Sequence, residues 1–170
     1  RENARYLELA WDNLTKRIEN IAEETFCSDY LMGVGIDDDF RKKMYPDYKM
    51  NRHRKPKKRN EFVPELRKLL VFEGYAIDAG DRETDDYIRT WAGECRDHDV
   101  EYVVCSVDKD LKCIPGKYYN LKTKEFEIVT EEYAMRFYYQ QLIMGDSTDN
   151  IPGVPGVGPV GAKNILADCN

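Results

Sequence analysis

The segment that most narrows the fold is Tyr102-Val103-Val104-Cys105-Ser106-Val107, a β-rich and nearly continuous apolar run that ends on Asp108. A strand with one wet face alternates apolar and polar residues. This one does not, and so reads as a strand covered on both faces. Helical periodicity stands on either side of it, from Glu83 to Asp97 and from Thr130 to Met144, with Thr130 placed as an N-cap. Further upstream, Tyr6, Leu7, Ala10, Leu14, Ile18, Ile21 and Ala22 space an amphipathic helix over residues 1–24. Tyr30 to Val34 reads as a short buried strand before the acidic turn Asp37-Asp38-Asp39. Phe62 to Tyr75 returns to helical spacing, Ile77 begins a short extended piece, and Tyr118 to Val129 predicts a small hairpin. A Gly/Pro-rich stretch, Pro152 to Gly161, feeds a last helix. No internal repeat is present. Helices alternating with buried strands favour an α/β layer fold.

A chain of 170 residues with 42% hydrophobic content can bury one real core. Its formal net charge of -6 argues by sign against nucleic acid, but the distribution matters more than the total. Arg41 to Arg59 holds ten Lys/Arg residues against the single acid Asp47, and Pro46 and Pro56 interrupt any long helix there. The five cysteines (Cys27, Cys95, Cys105, Cys113, Cys169) form no CxxC pair, and only His53 and His98 could join them, which excludes a zinc-ligand pattern. They read as reduced thiols in a cytosol-like compartment. No apolar run reaches membrane length and no signal peptide opens the chain, so a cytoplasmic protein is expected. The chain opens on Arg1 and closes at Asn170 just inside a helix, as a piece of a longer protein would.

Three acidic groups stand at the ends of these elements: Glu83-x-Asp85-Asp86 at a helix start, Asp108-Lys109-Asp110 after the buried strand, and Asp146-x-x-Asp149 after the helix ending near Met144. In open α/β sheets ligands gather beyond the carboxyl ends of strands, where Asp108 and Asp110 fall. If the groups converge, seven carboxylates share one pocket. Two such charges about 5 Å apart repel by roughly 3 kcal/mol at an effective dielectric near 20. A pocket of that kind calls for cations, and its oxygen ligands suit Mg²⁺ or Mn²⁺. Two ions about 4 Å apart can activate water and stabilise the leaving oxygen of a phosphodiester. An Asp-x-Asp after a strand is also ordinary turn and cap chemistry, and one acidic cluster does not separate the two readings.

The segment from Ile151 to Lys163 adds a different signal. Gly153, Gly156 and Gly158 alternate with Val154 and Val157, and Ala162, Ile165 and Leu166 continue on helical spacing. Glycine lets backbone approach a phosphate closely, and the N–H groups at a following helix start can bind it. Gly-x-Gly between apolar residues, followed by a small residue and Lys163, is the pattern of a helix-hairpin-helix grip on a DNA backbone. An ordinary Gly/Pro loop is the competing reading.

Taken together, the motifs FRKKMYPDYKMNR (Phe40 to Arg52), ETDD (Glu83 to Asp86), SVDKDL (Ser106 to Leu111) and GDSTDNIPGVPGVGPVGAKNIL (Gly145 to Leu166) resemble the 5′-nuclease family. That family comprises flap endonucleases, phage 5′–3′ exonucleases and the 5′-nuclease domain of bacterial DNA polymerase I, and the smaller phage-type members are nearest in pattern. The resemblance covers about residues 30 to 166. It implies a PIN-like (Rossmann-like) α/β fold with a mostly parallel sheet flanked by helices. A nuclease core would occupy residues 1–144, with a basic arch at about 41–60, and the start of a helix-hairpin-helix DNA-binding module would occupy 145–170. By the same resemblance, Glu83, Asp85, Asp86, Asp108 and Asp110 match one set of metal ligands, and Asp146 and Asp149 match the second. Lys49 matches a lysine that contacts the scissile phosphate, and Arg41 a basic residue near it. Arg52, Arg54, Lys55, Lys57 and Lys58, with Arg59, fall where the family arch clamps the single-stranded 5′ arm. Gly153, Gly156, Gly158 and Lys163 fall in the duplex-holding hairpin, which in the family carries K⁺.

The sequence departs from the family at two places. The family opens on a strand ending in Asp-Gly that supplies a ligand, and nothing stands before Arg1. After the strand near Val34 the family carries another Asp, where this chain has Asp37 slightly displaced. The resulting expectation is a Mg²⁺- or Mn²⁺-dependent 5′–3′ exonuclease or flap endonuclease using two ions on DNA with 5′ ends or flaps, with the choice between a DNA arm and an RNA primer left open by the sequence. Its rivals are a PIN-type ribonuclease, against which the glycine hairpin argues, and a DNA-binding module that does not cut.

Overall fold

The computed structural model describes residues 2–35, 40–51 and 62–167. It opens with helix α1 (Glu2–Thr25), followed by strand β1 (Gly33–Val34), the short helix α2 (Arg41–Met44) and helix α3 (Phe62–Phe72). Strand β2 (Ile77–Asp78), helix α4 (Thr84–Asp97) and strand β3 (Val103–Ser106) come next. A 3-10 turn over Lys109–Cys113 leads into strands β4 (Gly116–Asn120) and β5 (Phe126–Val129). Helix α5 (Glu131–Met144), strands β6 (Gly145–Asp146) and β7 (Ile151–Pro152), and helix α6 (Pro159–Ala167) complete the order.

The helices lie where the apolar spacing puts them. Ile18 of α1 is buried with Leu70 and Ala76, and Trp11, Leu14, Met32, Val34 and Tyr75 pack around that cluster. A second core gathers Ala92 of α4, Val104 of β3, Leu111, Ile114, Tyr118 of β4, Val129 of β5 and Ala134 of α5. Helices on a strand core make a layered arrangement, but the run Tyr102–Val107 is less covered than expected: only Val104 is buried, and Val107 is 65% exposed. Thr130 caps α5 as expected, its side chain accepting the Tyr133 N–H. The buried Tyr119 donates its hydroxyl to Glu24 at 2.5 Å, which ties the end of α1 to the middle of β4.

The sheet differs from the single, mostly parallel one expected. Among the described residues the strands form three separate sheets. β1 pairs with β2 and β3 with β4 in parallel, whereas β4 with β5 and β6 with β7 run antiparallel. The hairpin residues give the physical reason. β5 follows β4 through a tight turn in which Asn120 Oδ1 accepts the Lys122 N–H, and so it adds an antiparallel edge to a parallel pair. A groove of about 940 Å³ is lined by α1, α4, β3 and the Phe26–Met32 connection. The strand expected over Tyr30–Val34 shrinks to Gly33–Val34, because Tyr30 and Leu31 border that groove instead of extending the ladder.

Four cysteines (Cys27, Cys95, Cys105, Cys113) are free thiols, and burial pushes Cys105 up to about 11. Cys169, Asp37 and the whole of residues 52–61 lie outside the described residues. No described helix is long and apolar enough to cross a membrane.

Candidate active site

The carboxyl end of β3 delivers the Asp108-Lys109-Asp110 turn. Ser106 Oγ accepts the Asp108 N–H at 3.0 Å, and Asp108 Oδ1 accepts the Asp110 N–H at 2.9 Å. From β4, the Tyr118 hydroxyl donates to the carbonyls of Ser106 (3.1 Å) and Asp108 (2.8 Å). The turn-and-cap reading of Asp-x-Asp is therefore realised, because Asp108 caps the 3-10 turn. Asp110 Oδ1 accepts from Gln141 of α5 at 2.6 Å.

The first acidic group stands at the N-terminus of α4. Glu83 is the N-cap, and Asp85 and Asp86 occupy the first turn, at the positive end of the helix dipole. Asp86 Oδ2 accepts the Glu83 N–H at 3.3 Å. Asp86 also receives a bidentate fork from Arg41 of α2, at 2.8 and 2.6 Å, and Arg41 Nη1 lies 3.8 Å from Glu83. Glu83 forms an ion pair with the Lys49 ammonium, and Tyr48 donates to both of its oxygens at 3.1 Å.

The third group turns out of α5 through Gly145. Asp146 Oδ1 accepts the N–H groups of Thr148 (2.7 Å) and Asp149 (3.2 Å). The Tyr48 hydroxyl also lies 3.3 Å from Asp149 Oδ2, so one phenol joins Glu83 of the first group to Asp149 of the third. Tyr48 is only 6% exposed, which fixes that bridge from below.

The three groups share one electrostatic neighbourhood. Burial raises the pKa of Asp85 first, and the charges of Asp108, Asp86 and Asp110 push it further up against the opposing pull of Lys49. Burial likewise raises Asp110, with Asp108 and Asp146 adding to it and Lys109 and Gln141 opposing. Asp85 and Asp110 are thus harder to ionise, through burial and through the neighbouring acids. Among the described residues, no three Asp, Glu, His or Cys side chains close on a single metal-sized point. The Lys49 and Arg41 cations stand among the acids, where they offset part of the negative charge.

Of the residues singled out from sequence, Lys49, Arg41, Glu83, Asp85, Asp86, Asp108, Asp110, Asp146 and Asp149 come together on this face. Arg52, Arg54, Lys55, Lys57, Lys58 and Arg59 lie outside the described residues. Gly153, Gly156 and Gly158 follow β6 and precede α6, with the exposed Lys163 one turn into that helix. The glycines differ in what demands them. A Cβ on Gly153 would collide with the Met144 carbonyl group and the Ile143 oxygen, so packing against the end of α5 requires it. Gly156 takes a left-handed backbone (φ +79°), and a Cβ on Gly158 would meet nothing within 4 Å. Sequence reasoning missed Tyr48, Gln141, Asn51 and Asn150. Their one visible signal was position, beside Lys49 or within a turn of the Asp146 group.

Helices layered on parallel strands, with acids gathered at strand and helix ends, define a resolvase-like, PIN-like α/β nuclease fold. Residues 9–140 match the family model described as the 5′–3′ exonuclease N-terminal, resolvase-like domain, and the chain belongs to that family. It is 30% identical over 156 residues to the flap endonuclease Xni of Shewanella amazonensis, a match covering 85% of this chain and 60% of that protein. It is 31% identical over 142 residues to DNA polymerase I of Rhizobium leguminosarum, covering 76% of this chain and 14% of that one. The chain therefore spans less than two thirds of the length of either of these curated relatives. The T5 D15 protein co-crystallised with metal ions superposes with a TM-score of 0.76 at 20% identity, over 93% of this chain and 66% of that one. The T5 D15 flap endonuclease in a pseudo-enzyme-product complex with DNA and metal ions superposes at 0.74, also at 20% identity.

Proposed function

We propose that this chain carries the catalytic face of a divalent-metal-dependent 5′–3′ exonuclease or flap endonuclease acting on DNA near 5′ ends. The observation that carries the reading is the meeting of three acidic motifs around Lys49 and Arg41, with Tyr48 touching both Glu83 and Asp149.

The donor set fits hard divalent cations. It consists of carboxylate oxygens, and the charge that burial first and neighbouring acids second disfavour on Asp85 and Asp110 is what an added cation stabilises. Glu83, Asp85, Asp86, Asp108 and Asp110 would hold one Mg²⁺ or Mn²⁺, and Asp146 and Asp149 a second. Bound there, such ions supply a water ionised near neutral pH and positive charge on the leaving oxygen. The rest of the chemistry falls to the chain. The ammonium of Lys49 offsets charge gathering on the phosphoryl oxygens, and Arg41 orients the phosphate with its two-pronged guanidinium. Both cations exchange a carboxylate partner for the substrate phosphate as it arrives.

Residues 145–170 begin a helix-hairpin-helix module, separate from the 1–144 nuclease core, that grips duplex backbone through Gly156, Gly158, the start of α6 and Lys163, with K⁺ at the hairpin. Arg52, Arg54, Lys55, Lys57 and Lys58 hold the single-stranded 5′ arm, DNA or an RNA primer. The matching relatives are bacterial proteins, and the proposed place of action is the cytoplasm.

The test uses a 5′-flap DNA labelled on the flap strand and a matched RNA, each with Mg²⁺ or with EDTA. Cutting of the DNA near the junction or from the 5′ end, only with metal, supports the reading. Asp108→Asn with Asp110→Asn should abolish that cutting while circular dichroism stays unchanged. Preference for the RNA would favour a PIN-type ribonuclease, and binding without cutting would favour a DNA-binding module.

A further inference from the structure

The Lys49 turn and the Asp146 turn are far apart in sequence, yet they clasp each other residue by residue. The Lys49 N–H donates to the Asp149 carbonyl at 2.9 Å. Asn150 Nδ2 donates to the Asp47 carbonyl at 3.0 Å, and the Tyr45 hydroxyl donates to the Asn150 carbonyl at 3.1 Å. Asn51 Nδ2 reaches the Ser147 carbonyl at 3.0 Å and Asn150 Oδ1 at 3.3 Å. The two residues at the centre of the clasp, Lys49 (φ +58°) and Asn150 (φ +59°), both have left-handed backbones.

We infer that Asn150, with Asn51 opposite it, is a positioning residue that sets the direction of Lys49 relative to the Asp146–Asp149 pair. The inference rests on the nuclease reading above. A left-handed backbone is strained for a lysine, so Lys49 keeps it only where its surroundings over-determine it. The clasp supplies that constraint. With the Lys49 backbone pinned, its side chain leaves the turn in one direction, towards Glu83 and across Tyr48. Asparagine suits position 150 on two counts. It tolerates the left-handed region better than most residues, and its amide donates and accepts at once. Aspartate would lose the donor to the Asp47 carbonyl, and glycine would keep the backbone but lose both side-chain bonds. Asn150 is uncharged and acts through the turn it holds, so it works on the reaction only by way of Lys49.

The experiment measures single-turnover cleavage of a 5′-flap DNA by the full chain at saturating Mg²⁺, alongside DNA affinity and thermal midpoint. The proteins compared are the unsubstituted chain, Asn150→Ala, Lys49→Ala and the double variant. Asn150→Ala should slow cleavage about tenfold or more with DNA affinity held within about twofold, since a small misplacement of a reacting group has that effect. On the Lys49→Ala background the same change should cost much less, because the residue it positions is gone. An equal loss on both backgrounds, or no loss on either, overturns the inference while leaving the nuclease reading intact. Failure of the unsubstituted chain to cut overturns the nuclease reading and this inference with it. Should Asn150→Ala not fold, Asn150→Gly removes its two side-chain bonds, Asn51→Ala removes the bonds to Ser147 and to Asn150 Oδ1, and both are judged by the same comparison.

Discussion

At the scale of single residues, gathering the acids on one face costs the metal-free chain stability. Asp85 is raised mainly by burial and then by Asp108. A raised carboxylate pKa means that the folded chain holds its proton to higher pH than the unfolded chain does. In metal-free protein this group therefore favours folding at acidic pH. That contribution is withdrawn as pH climbs from about 4, the ordinary carboxylate value, through the raised folded value. Asp85→Asn removes the ionisation. Thermal melts in EDTA should show the variant gaining about 2–4 °C at pH 7 for each kcal/mol of repulsion relieved, with the gain shrinking towards pH 4. A gain of the same size at both pH values would contradict the shift. Lys49→Ala tests the opposite charge. Loss of one preorganised cation should lower the cleavage rate by about a hundredfold with substrate affinity little changed, and single-turnover kinetics on flap DNA report both quantities.

At the scale of elements, the hairpin between α5 and α6 divides structural glycines from those open to a ligand. Gly153 lies against the last carbonyls of α5, and Val154 donates its N–H to the Ile143 carbonyl at 2.7 Å. Gly153→Ala should force β7 away from α5 and cost about 1–3 kcal/mol in chemical denaturation. Gly158→Ala has room for its methyl group, so it should leave stability unchanged and weaken duplex binding measured by fluorescence anisotropy. Similar stability losses for both would remove the distinction. The helix starts are more local. Thr130 accepts the Tyr133 N–H within one turn, so its capping role was legible from residues 130–133 alone. The parallel pairing of β3 with β4 was not legible, because no local pattern tells a strand which neighbour it will take.

At the scale of the whole molecule, the net charge of -6 hides two opposed regions: the gathered acids and the basic stretch over Arg41–Arg59. Each should leave its own signature. Mg²⁺ added to DNA-free protein should raise its stability by about 2.7 kcal/mol at a hundredfold excess over the dissociation constant. Thermal melts should show that gain in the unsubstituted chain and not in Asp108→Asn with Asp110→Asn. Replacing Arg54, Lys55 and Lys57 by Ala should flatten the salt dependence of single-strand binding, by about 0.7 in log–log slope for each phosphate that is no longer neutralised. An unchanged slope would show that this stretch does not hold the 5′ arm.

What the sequence determined by itself was whatever is settled within a few residues: the helices from their apolar period, the Thr130 cap, the β4–β5 hairpin, and the acids waiting at the ends of elements. Periodicity and turn chemistry act over one or two turns, so a linear reading finds them. The tertiary structure alone decided that Tyr48 spans Glu83 and Asp149, that Gln141 reaches Asp110, and that two turns nearly a hundred residues apart clasp through Asn51 and Asn150. It also decided that the strands among the described residues form three sheets. Those pairings join groups with no local relation in sequence. They exist only once core burial has fixed where the elements lie, since a hydrogen bond tolerates only tenths of an ångström and a sequence pattern specifies no distance between its distant parts.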